Sequence, residues 1–150
     1  MTDIQIPWDK INTVFLDMDG TLLDLAYDNF FWLTYLPEQY TLKHKCSLET
    51  TQAELAKFFH QSKGTLDWYC TDYWSKKLSL DIASLKKNTQ HLIQERPDTQ
   101  PLLNFLKQSN KQIILLTNAH PDSLKIKMKK TGIAHFFDQM ISSHSLGFAK

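Results

Sequence analysis

Cysteine is scarce in this chain, with only Cys46 and Cys70, far apart and in no Cys-x-x-Cys pair. That argues against both a disulfide scaffold and a zinc site, and fits free thiols in a reducing compartment. Charge of one sign is also lacking: 17 Lys+Arg against 16 Asp+Glu leave a net charge of +1. A nucleic-acid partner usually requires a clearly basic domain, so none is expected. No apolar run approaches the ~20 residues that span a bilayer, and the opening residues lack the basic-then-apolar layout of a signal peptide. The expectation is a cytoplasmic protein with no membrane partner. Internal repeats, low-complexity tracts and long linkers are absent as well.

What is present is an ordinary globular balance, 42% hydrophobic and 22% charged over 150 residues. That length suits one domain, or a small core carrying one inserted module. Residues 12–17, Asn-Thr-Val-Phe-Leu-Asp, form a short apolar and β-branched run closing on an acid, followed by a turn with Gly20 and Thr21. This predicts a buried strand delivering its carboxyl end to a loop. Residues 112–117 have the same form and follow a predicted helix over 98–109, with Asp98 as N-cap and Leu102, Phe105 and Leu106 on one face. A further helix begins near Pro121 and stops at Gly132, and a third short strand falls at 139–142. Strand, helix, strand at this spacing argues an α/β fold with a Rossmann-like parallel sheet.

Residues 27–96 read differently. They show helical patches, candidate N-caps at Ser47 and Asp81, and many aromatics, among them Phe30, Phe31, Trp32, Trp68, Tyr73 and Trp74. We read this stretch as a helical module inserted between the first two strands. The core is then 1–26 plus 97–150.

The sharpest chemical signal is Asp17-Met-Asp19-Gly20-Thr21, set directly after the first strand. Carboxylates there project toward the crevice in which open α/β sheets bind ligands. Gly20 permits a tight turn that approaches an anion, and Thr21 adds a hydroxyl donor. Two close carboxylates repel, which raises one pKa unless a cation intervenes. Mg²⁺ resolves this by binding the first carboxylate and a nearby carbonyl, so Asp17 and Asp19 are the candidate metal residues. The second carboxylate is then free to act as general acid and base. An isolated Asp-x-Asp-Gly would read as a solvated acidic turn; the apolar strand before it tips the balance toward chemistry.

The run Val14-Phe-Leu-Asp17-Met-Asp19-Gly20-Thr21-Leu-Leu-Asp24 resembles the first motif of the haloacid-dehalogenase-like hydrolases. The resemblance implies that Asp17 is the nucleophile that becomes phosphorylated and Asp19 the acid/base. It implies that Thr117, at the next strand end, binds the phosphoryl group, and that Lys150, after Ser-Leu-Gly-Phe-Ala, steadies its charge. The insert resembles the helical cap of one branch of that family. Asn118 opens toward a helix start, where its N–H would add an anion donor. Stretches such as Leu66-Asp-Trp68-Tyr69-Cys70-Thr-Asp72-Tyr73-Trp74 and Leu116-Thr117-Asn118-Ala119-His120-Pro121 resemble bacterial GMP/IMP 5′-nucleotidases. The implied function is Mg²⁺-dependent hydrolysis of a phosphate monoester, a purine 5′-nucleotide. Gly20, Thr21 and Asn118 are the expected substrate-binding residues. Relatives with this pattern continue into a strand ending in two more acids, one completing the metal site. The expectation is therefore a core whose C-terminal strands are missing. The alternative is a shortened, inactive chain acting as a binding or interaction module.

Lesser features stay open. The aromatics from Trp68 to Trp74 are expected chiefly as cap core, with Trp68 and Tyr73 the candidates for base contact. Asp28, Asn29 and Asp72 face either substrate or solvent. His120 is expected to start a helix, the other histidines have no metal-ligand spacing, and Lys125, Lys127, Lys129 and Lys130 are expected on a solvated helix face.

Overall fold

Three parallel strands, β1 (Thr13–Leu16), β2 (Gln112–Thr117) and β3 (Gln139–Ser142), pair in the order β1-β2-β3 in a computed structural model that describes residues 6–150. The register sets Leu16 opposite Leu115 and Thr117 opposite Ser142. Asp17, one residue past β1, therefore emerges at the same carboxyl edge as Thr117. β2 is the central strand, and Ile113, Leu115 and Thr117 along it are almost wholly buried. That burial on a β-branched and aliphatic run is what a parallel sheet covered by helices requires.

The core helices are the two expected around β2. Helix α6 (Thr99–Gln108) buries Leu103 and Leu106, and α7 (Pro121–Thr131) buries Ile126 and Met128. Both pack into one cluster with Met18, Leu22, Ile113 and Leu115. Each fully buried Leu or Ile there contributes roughly 1.5–3 kcal/mol. Pro121 opens α7 and Gly132 closes it at φ 74°, a left-handed conformation that glycine adopts without steric cost. Asp98 precedes α6 as expected, but its side chain makes no capping bond. Its ψ of 1° departs from the extended geometry that carries a capping oxygen onto the first turn.

Residues between β1 and α6 form the helical insert. Helix α1 (Ala26–Phe30) runs through a π-helical turn (Phe31–Tyr35) into α2 (Leu36–His44), followed by α3 (Leu48–Ser62), α4 (Thr71–Leu78) and α5 (Ile82–Asn88). Ser47 Oγ accepts the Thr50 N–H and Asp81 Oδ1 the Ser84 N–H, so the two expected caps form. A second hydrophobic cluster holds this insert together around Phe31, Leu36, Leu55, Trp74, Leu78 and Ile82. The aromatics pack edge-to-face: the ring centroids of Phe59 and Trp74 lie 5.3 Å apart at 78°.

The two chain segments that join insert to core are bonded to each other. Arg96 N–H donates to Leu22 O at 2.9 Å, Asp24 N–H to Gln94 O at 3.1 Å, and Leu23 bridges Glu95 in antiparallel sense. Thr99 Oγ1 adds a bond to Leu22 O at 2.6 Å. Among the described residues, no helix is long and apolar enough to cross a membrane.

Candidate active site

The carboxyl edge of the sheet gathers four of the expected residues. Asp17 Oδ1 accepts the Met18 N–H at 2.8 Å and pairs with Lys150 Nζ at 2.6 Å. Lys150 Nζ also donates to Leu116 O at 2.7 Å, which seats it between the ends of β1 and β2. Thr117 is buried, and its Oγ1 accepts the Ala119 N–H at 3.1 Å. Asn118 Oδ1 accepts from Lys150 N and from Ser143 Oγ, each at 2.8 Å, so its side chain fixes the segment that carries Lys150. Ser143 was not legible as a site residue, because its role is to hold Asn118.

Gly20 sits at φ 78°, which the tight turn after Asp19 demands. Its N–H is taken by Leu23 O at 2.8 Å, and that of Thr21 by Met18 O at 3.3 Å. Both residues thus shape the turn with their main chains, leaving the exposed Thr21 hydroxyl as the donor they can offer a ligand.

Asp19 does not share a carboxylate pair with Asp17. Its Oδ1 is 2.5 Å from Lys127 Nζ, which lies 2.5 Å from Asp28 Oδ2 in turn. Asp28 Oδ1 then meets Lys86 Nζ at 3.4 Å. Lys127 is only 2% exposed and corrects the expectation of a solvated lysine face. It shares the inward side of α7 with Ser123 and Ile126, one turn from Ser123. Lys86 is equally buried, with its ammonium 4.8 Å from the Phe31 ring centroid and 5.3 Å from that of Trp32.

The electrostatics follow from this chain of charges. Burial pushes the Asp19 carboxyl up from its ordinary value, against the pull of Lys127. Burial also works against ionised Asp28, yet Lys127 and Lys86 together hold it below the usual range. For Lys127 the two carboxylates overcome burial and raise the ammonium pKa, whereas burial dominates at Lys86 and lowers it.

Above Asp19 opens a cavity of about 280 Å³ between core and insert. Asp19, Asp28, Lys86 and Lys127 give it a charged floor, and Trp32, Phe59 and Trp68 give it aromatic walls. The π-helical turn contributes Trp32 and Leu33 to this wall, an instance of such turns occurring at ligand-facing positions. Tyr73 does not line the cavity; its hydroxyl meets Ser62 Oγ at 3.2 Å inside the insert. His120 caps α7 as expected, accepting the Asp122 N–H at Nδ1. It stacks edge-on with His144, which burial and the neighbouring His120 hold below its ordinary pKa.

A parallel sheet with an acid at the end of β1, Thr117 at the end of β2 and a lysine returning onto the acid is the framework of one hydrolase class. The family model of the haloacid dehalogenase-like hydrolases matches residues 11–150, and the chain belongs to that family. Among individual proteins, the GMP/IMP nucleotidase YrfG of Escherichia coli (strain K12) is 44% identical over 147 residues, which is 98% of this chain and 66% of that protein. The Shigella flexneri protein of the same name matches to the same extent, so the chain spans just under two thirds of the length of these relatives. In fold, it is similar to a HAD phosphatase from Thermococcus onnurineus, with a TM-score of 0.76 at 23% identity over 89% of this chain and 62% of that one. A candidate HAD-hydrolase, YfnB from Bacillus subtilis, solved bound to magnesium, gives a TM-score of 0.60 at 18% identity, covering 93% of this chain and 67% of the other.

Proposed function

We propose that the chain hydrolyses the phosphate monoester of purine 5′-nucleotides through an aspartyl-phosphate on Asp17. The observation that carries this reading is the convergence of Asp17, Thr117, Asn118 and Lys150 on one sheet edge, while Asp19 and Ala119, their neighbours in sequence, line the adjoining aromatic-walled cavity. The relatives named for GMP and IMP support the substrate class.

In the first step, Asp17 attacks phosphorus in line while Asp19 passes a proton to the leaving ribose oxygen. In the second, Asp19 takes a proton from the attacking water, the acyl-phosphate bond breaks, and orthophosphate leaves. Lys150 and the Thr117 hydroxyl balance charge on the phosphoryl oxygens, the contribution that matters most in such transfers. Burial of Asp19 favours the protonated form that the first step needs. Family hydrolases generally use Mg²⁺, and the residues fit it: Asp17 Oδ2 makes no hydrogen bond among the described residues and is a hard oxygen donor. The Asp17 carboxylate and the main-chain carbonyl of Asp19 would hold the ion, since the Asp19 side chain is committed to Lys127. Bound there, Mg²⁺ would supply charge neutralisation at the phosphoryl oxygens.

The aromatic walls suit a flat base, and the buried charges beneath suit its polar edge. The test is Mg²⁺-dependent release of orthophosphate from a panel of esters. GMP and IMP should turn over faster than pyrimidine nucleotides and sugar phosphates. Sugar phosphates turning over with purine nucleotides inert would reject the substrate class, and no turnover of any ester would reject the reaction.

A further inference from the structure

Three side chains that play no part in this reaction meet where the insert touches the core. Cys70 caps α4 in the insert, where its Sγ accepts the Tyr73 N–H at 3.3 Å. His120 caps α7 after β2, and His144 lies in the single turn after β3 (Ser143–Ser145). One ligand atom from each lies within 4.8 Å of the other two. The Nε2 of His144 is buried and makes no hydrogen bond of ordinary geometry among the described residues, although the Leu66 main chain lies beside the ring. Leaving a polar nitrogen in that condition is unfavourable, and binding of a ligand would remove the cost.

We propose that Cys70, His120 and His144 bind a zinc-class divalent cation that fastens the helical insert to the core. One thiolate and two imidazoles are a donor set for Zn²⁺ and its neighbours, not for Mg²⁺ or Ca²⁺, which take oxygen. Asp72 Oδ2 lies 3.6 Å from His120 Nε2 but groups with Asp122 rather than with Cys70 and His144, so the fourth position is open to a solvent ligand. Zinc bonds of about 2.0–2.3 Å set tetrahedral ligands roughly 3.3–3.8 Å apart, so the three side chains need draw in by no more than about 1–1.5 Å.

A supporting shell is already built. His120 Nδ1 lies 2.8 Å from Thr71 Oγ1, which lies 3.4 Å from Asp122 Oδ2. With the ring proton on Nδ1, the order runs imidazole N–H to hydroxyl and hydroxyl to carboxylate, and Nε2 is free for the metal. This tautomer gives up the 3.3 Å bond from Asp122 N–H to Nδ1. A carboxylate relay behind a ligating histidine is the usual way its orientation is set. Sequence spacing could not reveal the site, because its ligands come from positions 70, 120 and 144 on three separate elements.

The experiment is a Co²⁺ titration of the reduced chain in excess Mg²⁺, followed by absorption. One equivalent should give a near-ultraviolet sulfur-to-cobalt charge-transfer band with tetrahedral d–d bands, and Zn²⁺ should displace both. Cys70→Ser should abolish the charge-transfer band, and Thr71→Val should weaken binding roughly 10–100-fold. Absence of the band, or its survival in Cys70→Ser, overturns the site. A second measurement needs no variant: iodoacetamide labelling read by mass spectrometry, with and without Zn²⁺. Zn²⁺ should protect Cys70 while Cys46 labels as before; labelling of Cys70 at an unchanged rate overturns the proposal.

Discussion

Lys127 of the core helix α7 and Asp28 of the first insert helix meet at 2.5 Å, and the same ammonium reaches Asp19 at 2.5 Å. A single buried cation thus joins the proposed acid/base to the element that begins the insert. Charges withdrawn from water in this way hold geometry more than they add stability, because desolvation offsets most of their attraction.

Replacing Lys127 by Met should therefore be severe, since two carboxylates lose their buried partner. Breaking such a pair costs about 3–5 kcal/mol. Urea unfolding should show that loss in Lys127→Met and partial recovery in Lys127→Met with Asp28→Leu. Equal stability of the single variant and the parent would mean that the cluster is solvated.

Asp17→Asn should remove phosphate release while leaving the far-ultraviolet circular dichroism and the melting temperature close to the parent values. The substitution keeps the side-chain shape but removes the carboxylate charge that makes Asp17 a nucleophile. Asp19→Asn should also lose turnover, yet accumulate phosphoenzyme from an ester with an activated leaving group, detectable as an added phosphate mass.

Trp68→Ala should raise KM for GMP with little change for β-glycerophosphate, which has no ring to stack. Stacking of a base on an aromatic side chain is worth about 1–3 kcal/mol, or roughly 5–150-fold in affinity. An equal effect on both esters would make Trp68 a structural residue of the insert only.

Asp138 offers a prediction about pH. Its Oδ2 accepts the Ile113 N–H at 2.7 Å and its Oδ1 pairs with Lys107 at 3.2 Å, clasping β3 to β2. The Ile113 N–H bond first, then Lys107, hold its carboxyl below the ordinary 3.8. A lowered folded-state pKa gives stability that is present above 3.8 and lost as pH falls through the folded value. Asp138→Ala should thus melt below the parent at pH 7, and the gap should narrow as the pH falls below 3.8. A gap independent of pH would assign the effect to packing.

The fold was legible where pattern and position agree. Residues 112–117 carry an aliphatic run, and Pro121 and Gly132 bracket α7 with the backbone geometry those residue types favour. Asp17 and Thr117 could be placed because strand ends in a parallel sheet share one edge. Lys127 could not: a lysine among Lys125, Lys129 and Lys130 looks solvated until Asp19 and Asp28 are known to lie beneath it. Lys86 was hidden for the same reason, as its partners are 58 residues away in Asp28 and across the rings of Phe31 and Trp32. Of the two candidates for base contact, Trp68 lines the cavity, whereas Tyr73, five residues on, packs inward against Ser62 as cap core. Helical phase within a short α4 is beyond what a run of aromatics specifies.

The paired crossings at Leu22–Arg96 and Asp24–Gln94 have a mechanical meaning. Two independent tethers would let the insert slide, twist and tilt; two tethers bonded into one ribbon leave it a single soft direction, bending about that ribbon. Hinges of this kind absorb their motion in a few residues next to the pivot. Asp28 is only four residues beyond Asp24, on the short end of the lever, whereas Phe59 and Trp68 are carried on its long end. With no cation joining Cys70 to His120 and His144, a swing wide enough to admit a nucleotide past the aromatic wall would displace the Lys127–Asp28 contact least. The site could open at its rim with its charged floor still assembled.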